Sequence, residues 1–349
     1  MTKNHLPTQR PFKQVDVFTD QAYRGNPLAV VLDGSGLSDD AMQRFAHWTN
    51  LSETTFLLPP TAEGAAAGAD YRVRIFTTAY EMPFAGHPTL GSCHAWLEHG
   101  GVPRNPAMVV QECKVGLVNI RQLQLTAGPP QGELAPTGGS DPCNGGAWGH
   151  VASRAAFSAP PLKRQDATPE LVQALADALG LPATKILASQ HLNNGPSHFG
   201  LLLDDQDTVL ELTPDFALLR AAMTLGGMTG VGVAALQGDA SAPGLIARSN
   251  REARAFAGRA VTTAEATTGI EVRFFFDHGK GIGEDPVTGS FNASLAQWLI
   301  AECHAPRGYT ASQGTCIGVQ GRVHIEQDAA GQVWVGGDAV TCISGLVQL

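Results

Sequence analysis

A chain of 349 residues is long enough to build two sizeable cores. A net charge of −9, with no run of Lys or Arg, argues against nucleic acid or an anionic membrane as the main partner. The six cysteines show no C-x-x-C spacing and, at this length, read neither as a zinc knuckle nor as a disulfide framework, so reduced and mostly buried thiols are expected.

In chain order, Gln14–Phe18 and Leu28–Leu32 read as strands around a turn at Arg24-Gly25-Asn26-Pro27. Ser38 caps a helix running to about Trp48, with acids in its first turn. Ser52–Leu58 is a strand of mixed polarity that carries Glu53, and Tyr71–Phe76 alternates as a half-buried strand. A helix over about 88–99 mixes small residues with Leu and Trp on most faces, the pattern of a buried helix. Strands follow near Met108–Gln111 and Leu117–Gln122. Residues 127–152 are rich in Gly and Pro and lack periodicity, which marks a linker or insertion.

The second half repeats this logic. Arg154–Phe157 is a candidate strand, and Thr168-Pro169-Glu170 opens a capped helix. Strands are expected at His198–Leu203, Gly230–Ala235 and Ile270–Phe276, and a second small-residue helix at about 289–302. The tail reads as a meander over Thr315–Val319, Gly321–Ile325, Gln332–Val335 and Ala339–Ile343. Many short strands and one buried helix in each half define an α+β architecture built twice, with each sheet curled around its helix. The boundaries expected are an N-terminal lobe at 1–126, completed by the last C-terminal strand, the linker at 127–152, and a C-terminal lobe at 153–349.

The two buried helices begin in similar polar turns, Phe84-Ala-Gly-His87-Pro and Glu284-Asp285-Pro-Val-Thr-Gly-Ser290. A helix N-terminus offers free N–H groups and partial positive charge, a natural seat for a carboxylate. Two such mouths suggest one site between similar halves. Glu53 is either a solvated strand residue or an inward carboxyl whose desolvation raises its pKa and makes it a proton shuttle. His87, before Pro88, reads as an N-cap or as an imidazole facing the ligand. Asp285, Thr288 and Ser290 also fit an ordinary turn and cap. There is no H-E-x-x-H, Walker loop, Rossmann fingerprint or nucleophile elbow, and nothing asks for a nucleotide, metal or flavin. No apolar run approaches the roughly 18 residues needed to cross a bilayer, and the N-terminus lacks a signal-peptide core, so a cytoplasmic protein is expected.

The chain resembles the PhzF-like isomerases, the phenazine biosynthesis PhzC/PhzF type, which share the diaminopimelate epimerase fold. The resemblance rests on Val15-Asp-Val-Phe-Thr19, Gly25-Asn-Pro27, Asn50-Leu-Ser-Glu53-Thr, Phe84-Ala-Gly-His87-Pro-Thr89, Asn194-Gly-Pro196 and Glu284-Asp-Pro-Val-Thr-Gly-Ser290. Gln313-Gly-Thr315, Gly321-Arg-Val323 and Val335-Gly-Gly337 extend it along most of the chain. It implies two pseudo-symmetric lobes, each a β-barrel-like sheet around a central helix, with the site in the cleft between them. It further implies cofactor-free proton transfer on a small carboxylate, in a homodimer. Glu53, His87, Asp285 and Ser290 are the implied catalytic residues, and Asn26, Gly86, Thr288 and Gly289 the implied substrate-binding ones. The thiols that diaminopimelate epimerase and proline racemase hold at their helix mouths are replaced here by Gly86-His87 and Gly289-Ser290. Departures from the family pattern are Phe291-Asn292 after the Thr-Gly-Ser turn, Thr78-Ala79-Tyr80 before the acidic residue, and the length of 127–152. Two other readings are a catalytically weak binding or scaffold protein, and an epimerase or racemase of a small amino or hydroxy acid.

Overall fold

A computed structural model describes residues 8–123, 153–237, 268–278 and 281–349. The expected linker at 127–152 and Cys143 lie outside the described residues.

The first half lays down strands β1 (Gln9–Val17), β2 (Asn26–Val31), β3 (Thr54–Leu58), β4 (Tyr71–Phe76), a short β5 (Glu81–Met82), β6 (Met108–Cys113), β7 (Gly116–Leu123) and β8 (Ser153–Ser158). Their ladder runs β1–β2 antiparallel, β2–β3 parallel, β3–β4 antiparallel, β4–β6 parallel, then β6–β7 and β7–β8 antiparallel. After β9 (Lys163–Gln165), the second half follows with β10 (Ile186–Asn193), β11 (Ser197–Leu203), β12 (Gly230–Leu236), β13 (Thr268–Asp277), β14 (Ile282–Glu284), β15 (Gly308–Gln313), β16 (Gly321–Gln327) and β17 (Val333–Gln348). Its ladder has the same order and the same orientations: β10–β11 antiparallel, β11–β12 parallel, β12–β13 antiparallel, β13–β15 parallel, β15–β16 and β16–β17 antiparallel. The long last strand β17 also pairs with β8 over 334–339 and with β1 over 339–348, so the first set of strands forms a closed ring. Closure pairs the main strands of this set on both sides, with the short β5 flanking β4.

Among the described residues the helices are α1 (Asp39–Thr49), α2 (Ala62–Ala66), α3 (Gly86–Glu98), α4 (Pro169–Leu179), α5 (Gln206–Leu210), α6 (Phe216–Gly226) and α7 (Gly289–Ala301). α1 and α4 form where the sequence supplies a side-chain cap: Ser38 accepts from Ala41 N, and Thr168 from Leu171 N. α3 and α7 are held by burial instead. Every residue from Gly86 to Ala95 is buried, as is every residue from Gly289 to Ala296. α3 packs against β1, β2, β3, β6, β8 and β17, that is, against strands all round its ring. A Cβ on Gly91 would lie 2.6 Å from Leu28 Cδ2, so only glycine lets α3 approach the sheet this closely. Gly232 likewise makes room for the ring of Phe291. The polar side chains of the buried helices find partners: Ser92 Oγ donates to Thr55 Oγ1 at 2.9 Å, and Asn292 Nδ2 to Gln313 Oε1 at 2.8 Å.

The expected strand Thr315–Val319 is a 3-10 turn, Thr315–Ile317, held between Gly314 and Gly318 at φ 89° and 78°. Left-handed backbone at both ends takes the segment out of any ladder. The two expected strands after residue 332 are one strand of 16 residues. β10 and α6 arise where no element was expected. α6 has a side-chain cap from Asp215, and β10 pairs on both sides with β9 and β11. Of the five described cysteines, Cys93 and Cys113 are buried but Cys303 and Cys316 are exposed, so the thiols are not mostly buried.

Candidate active site

The two buried helices meet at their N-termini. A Cβ on Gly86 would fall 2.9 Å from backbone atoms of Gly289, and one on Gly289 3.0 Å from Gly86 Cα. Any larger residue at either position would push the helices apart. Neither helix has a side-chain cap: the capping positions are Ala85 and Thr288, and neither side chain bonds to its helix. His87 is therefore not the N-cap; it is the second residue of α3, and its imidazole is released from capping. Thr288 occupies the capping position of α7, but its hydroxyl donates to Asp285 Oδ2.

Beside this junction lies a cleft of about 910 Å³. Glu53, His87, Asp285 and Ser290 all line it, as do Asn26, Gly86, Thr288 and Gly289. Residues far apart in sequence thus converge because the N-termini of the two buried helices meet. Glu53 stands one residue before β3, not within it, where the chain emerges from the Asn50 turn at φ 60°. Its side chain is only 11% exposed and approaches His87 Nε2 at 3.5 Å through Oε2. That oxygen has no hydrogen-bond partner. Burial, and secondarily the charge of Asp285, push the Glu53 carboxyl up to about 8. Burial depresses His87 to about 3, so its ring is neutral and the contact with Glu53 is not an ion pair.

Asn26 ties the parts together. Its Nδ2 donates to Val287 O at 2.9 Å and lies 3.4 Å from both Asp285 Oδ1 and His87 Nδ1. Donation to Nδ1 leaves the ring proton on Nε2, toward Glu53. Burial also raises Asp285, to about 6, against the opposing pull of bonds from Thr288 and Asn26. Gln313 accepts from Thr288 N at 3.0 Å and donates to Asp285 O at 3.2 Å, fixing the turn before α7. Asn194 Nδ2 donates to Ser290 O at 2.8 Å.

Sequence reasoning gave no role to two further residues here. Gln313 stood inside a family motif without a function. His198 read only as a strand residue, yet it lines the cleft and is 3% exposed, with Nδ1 unpartnered. The one available signal was a histidine in an otherwise apolar strand, which does not say which face it occupies.

The repeat assigns equivalent positions in the two halves. Thr54 pairs with Phe76 at the end of the β3–β4 ladder, and Gly230 with Phe276 at the end of β12–β13. The residue before each strand is Glu53 in one half and Thr229 in the other. The second residue of each buried helix is His87 in one half and Ser290 in the other. The site is therefore symmetric in backbone and asymmetric in chemistry. At these two positions a titratable pair lies on one side and two hydroxyls on the other, where Asp285 is the nearby carboxyl. No thiol stands at either mouth; Cys93 lies deeper in α3, and burial pushes it up to about 12. Among the described residues, no cluster of three or more His, Cys, Asp or Glu side chains is arranged to hold a metal ion.

A doubled α+β barrel with a polar cleft at its helix mouths is the diaminopimelate epimerase-like fold, and the protein is an isomerase of that class. Residues 15–345 match the model of the PhzC-PhzF family, described as phenazine biosynthesis-like protein, and the chain belongs to that family. It is 32% identical over 347 residues to antisense-enhancing sequence 1 of Schizosaccharomyces pombe, covering 97% of this chain and 98% of that one. It is 48% identical over 81 residues to trans-2,3-dihydro-3-hydroxyanthranilate isomerase of Pseudomonas aeruginosa, covering 23% of this chain and 27% of that one. The crystal structure of a PhzF-family phenazine biosynthesis protein from Bacillus anthracis superposes with a TM-score of 0.71 at 21% identity, covering 98% of this chain and all of that one.

Proposed function

We propose that the protein moves a proton between two carbons of a small carboxylate, with Glu53 as the single acid/base and no cofactor. The observation that carries this reading is the asymmetry of the site. Glu53 has an unpartnered carboxylate oxygen in the cleft, and its repeat equivalent is Thr229. Inversion at one carbon needs a second base on the opposite face. On the second half's side Thr229 and Ser290 are poor bases near neutral pH, and Thr229 Oγ1 already donates to Ser197 O at 2.9 Å. Both oxygens of the Asp285 carboxyl are taken, one accepting from Thr288 Oγ1 and the other from Asn26 Nδ2. One carboxyl acting twice on one face suits a proton shift instead.

In this reading the Glu53 carboxylate takes a proton from a carbon acidified by a neighbouring π-system or carboxylate. The resulting acid returns the proton to another carbon. A pKa of about 8 suits both halves of that cycle: the ionised form is a stronger base than an ordinary carboxylate, and the acid survives long enough to reprotonate. The uncapped N–H groups of Gly86, His87, Gly289 and Ser290 would seat the substrate carboxylate and stabilise negative charge as it develops. Neutral His87, with Nε2–H toward Glu53, and Asp285 would orient the substrate. The isomerase names among the relatives support the reaction class.

The test is solvent-deuterium exchange over a set of unsaturated and β,γ-activated carboxylates, with the wild type and Glu53→Gln. The expected result is exchange or isomerisation that vanishes in the variant, with the substrate's internal hydrogen partly conserved in the product. Stereoinversion with full solvent incorporation, or exchange that persists in Glu53→Gln, would overturn the one-base reading.

A further inference from the structure

The two halves line the cleft with different elements, and the difference can be read against the repeat. In the first half, α1 and β4 contribute no lining residue; the wall begins after them, at Asn50 and Thr77. In the second half, α6 contributes Arg220, Met223 and Thr224, and β13 contributes Phe274, Phe276 and Asp277. Equivalent positions behave differently: Phe76 packs on Phe56 at 5.6 Å in a satellite core, whereas Phe276 faces the cleft. The cleft therefore extends into the second lobe, between α6 and β13, as a side chamber with no counterpart in the first.

The chemistry of this chamber differs from that of the helix mouths. Met223, Met228, Phe274 and Phe276 make its walls apolar and, through the methionines, adaptable. His198 meets Phe274 edge-on at 4.9 Å, and Phe274 lies 5.0 Å from Phe291, so the histidine sits in an aromatic cluster. Its Nδ1 is buried without a partner. Burial leaves the ring neutral. A buried polar atom without a partner costs stability unless something completes it. The Arg220–Asp277 pair, at 3.0 Å and part-exposed, also lines the cleft. A volume of about 910 Å³ lies near the top of the range of about 300–1,000 Å³ typical of sites for drug-sized ligands.

Resting on the proton-transfer reading of the same cleft, we propose that the substrate is an extended carboxylate. Its acid group sits at the helix mouths, and an apolar, ring-sized substituent with one hydrogen-bonding atom fills the chamber against His198. A carboxylate without such a substituent would leave the chamber unfilled.

The test is calorimetric titration of the wild-type protein, in a buffer free of small carboxylates, with benzoate, 4-phenylbutyrate and N-benzoylglycine. The expected result is that the two extended acids bind about tenfold or more tightly than benzoate, because their linkers carry the ring into the chamber while benzoate holds its ring at the carboxylate. Thr224→Trp, at an exposed position of α6 that lines the chamber, should remove that advantage and leave benzoate unchanged. His198→Phe should selectively weaken N-benzoylglycine relative to 4-phenylbutyrate, because only the former carries an amide that can meet the imidazole. Equal affinity for short and extended acids in the wild type would overturn the extended substrate while leaving proton transfer intact. Binding of none of them would overturn the carboxylate anchor and this proposal together. Proton transfer itself is tested separately, by deuterium exchange.

Discussion

Replacing Glu53 by Gln should stabilise the protein at alkaline pH while abolishing turnover. The carboxyl is buried, its ordinary value is 4.5, and in the fold it titrates at about 8. A group raised in this way is neutral in both states below pH 4.5, so it then costs the fold nothing by ionisation. Between 4.5 and 8 the unfolded chain gives up the proton and the folded chain keeps it, and stability falls as pH rises. Each pH unit in that window corresponds to about 1.4 kcal/mol. The cost is therefore about 3 kcal/mol at pH 7 and about 5 kcal/mol above pH 8. Gln keeps the shape and does not titrate. The variant should match the wild type within about 1 kcal/mol at pH 5 and exceed it progressively to pH 8.5. With an unfolding entropy of about 2.1 cal/mol/K per residue, 1 kcal/mol is about 1.4 °C for a chain of this length, so the melting points should separate by about 4–7 °C at the alkaline end. Differential scanning calorimetry of both proteins from pH 5 to 9, with deuterium exchange on the same samples, measures both effects. Melting curves that stay parallel across the range would refute the account of Glu53 as a desolvated carboxyl.

The neighbouring groups give three further expectations. If ionised Glu53 is the base, kcat/KM should rise with pH through a midpoint near pH 8 and level off above about pH 9; Asp285→Asn removes the second cause of the raised pKa, so this limb should move to lower pH, and an unmoved limb would mean that Asp285 does not act on Glu53. Gly86→Ala puts a Cβ 2.9 Å from Gly289 backbone and should cost about 1–3 kcal/mol by thermal melting, with a larger loss of activity than of fold, because it parts the two helix mouths. Gln313→Ala strips partners from Thr288 N and Asn292 Nδ2 and should cost a further about 1–3 kcal/mol by urea titration; a variant as stable as the wild type would show that the turn before α7 holds itself.

The parts of this structure legible in the sequence were those in which local pattern and burial agree. The helices at 86–98 and 289–301 announced themselves because small and apolar residues occupy nearly every face, which only a buried helix tolerates. α1 and α4 announced themselves through Ser38 and Thr168, whose caps are local bonds. β10 did not, because its register is set by β9 and β11 and its residues are only partly buried, leaving no clean alternation. The 3-10 turn at Thr315 failed for the opposite reason: a β-branched, apolar stretch was overruled by two left-handed glycines. The site divides along the same line. Glu53, His87, Asp285 and Ser290 sit in short motifs that turn tightly beside a helix or strand, so their context is local. His198 is reached only through the packing of β11 against Phe274 and Phe291, a long-range fact that no window of sequence contains. A duplicated fold sharpens the distinction. Duplication makes the two mouths alike in backbone and so legible as a pair, whereas the chamber beside α6 exists only where the halves have diverged. On the proposed reading, the shared helix mouths would anchor the acid group, while the unshared groups, Glu53 against Thr229 and the chamber beside α6, would set the reaction and the choice of substrate.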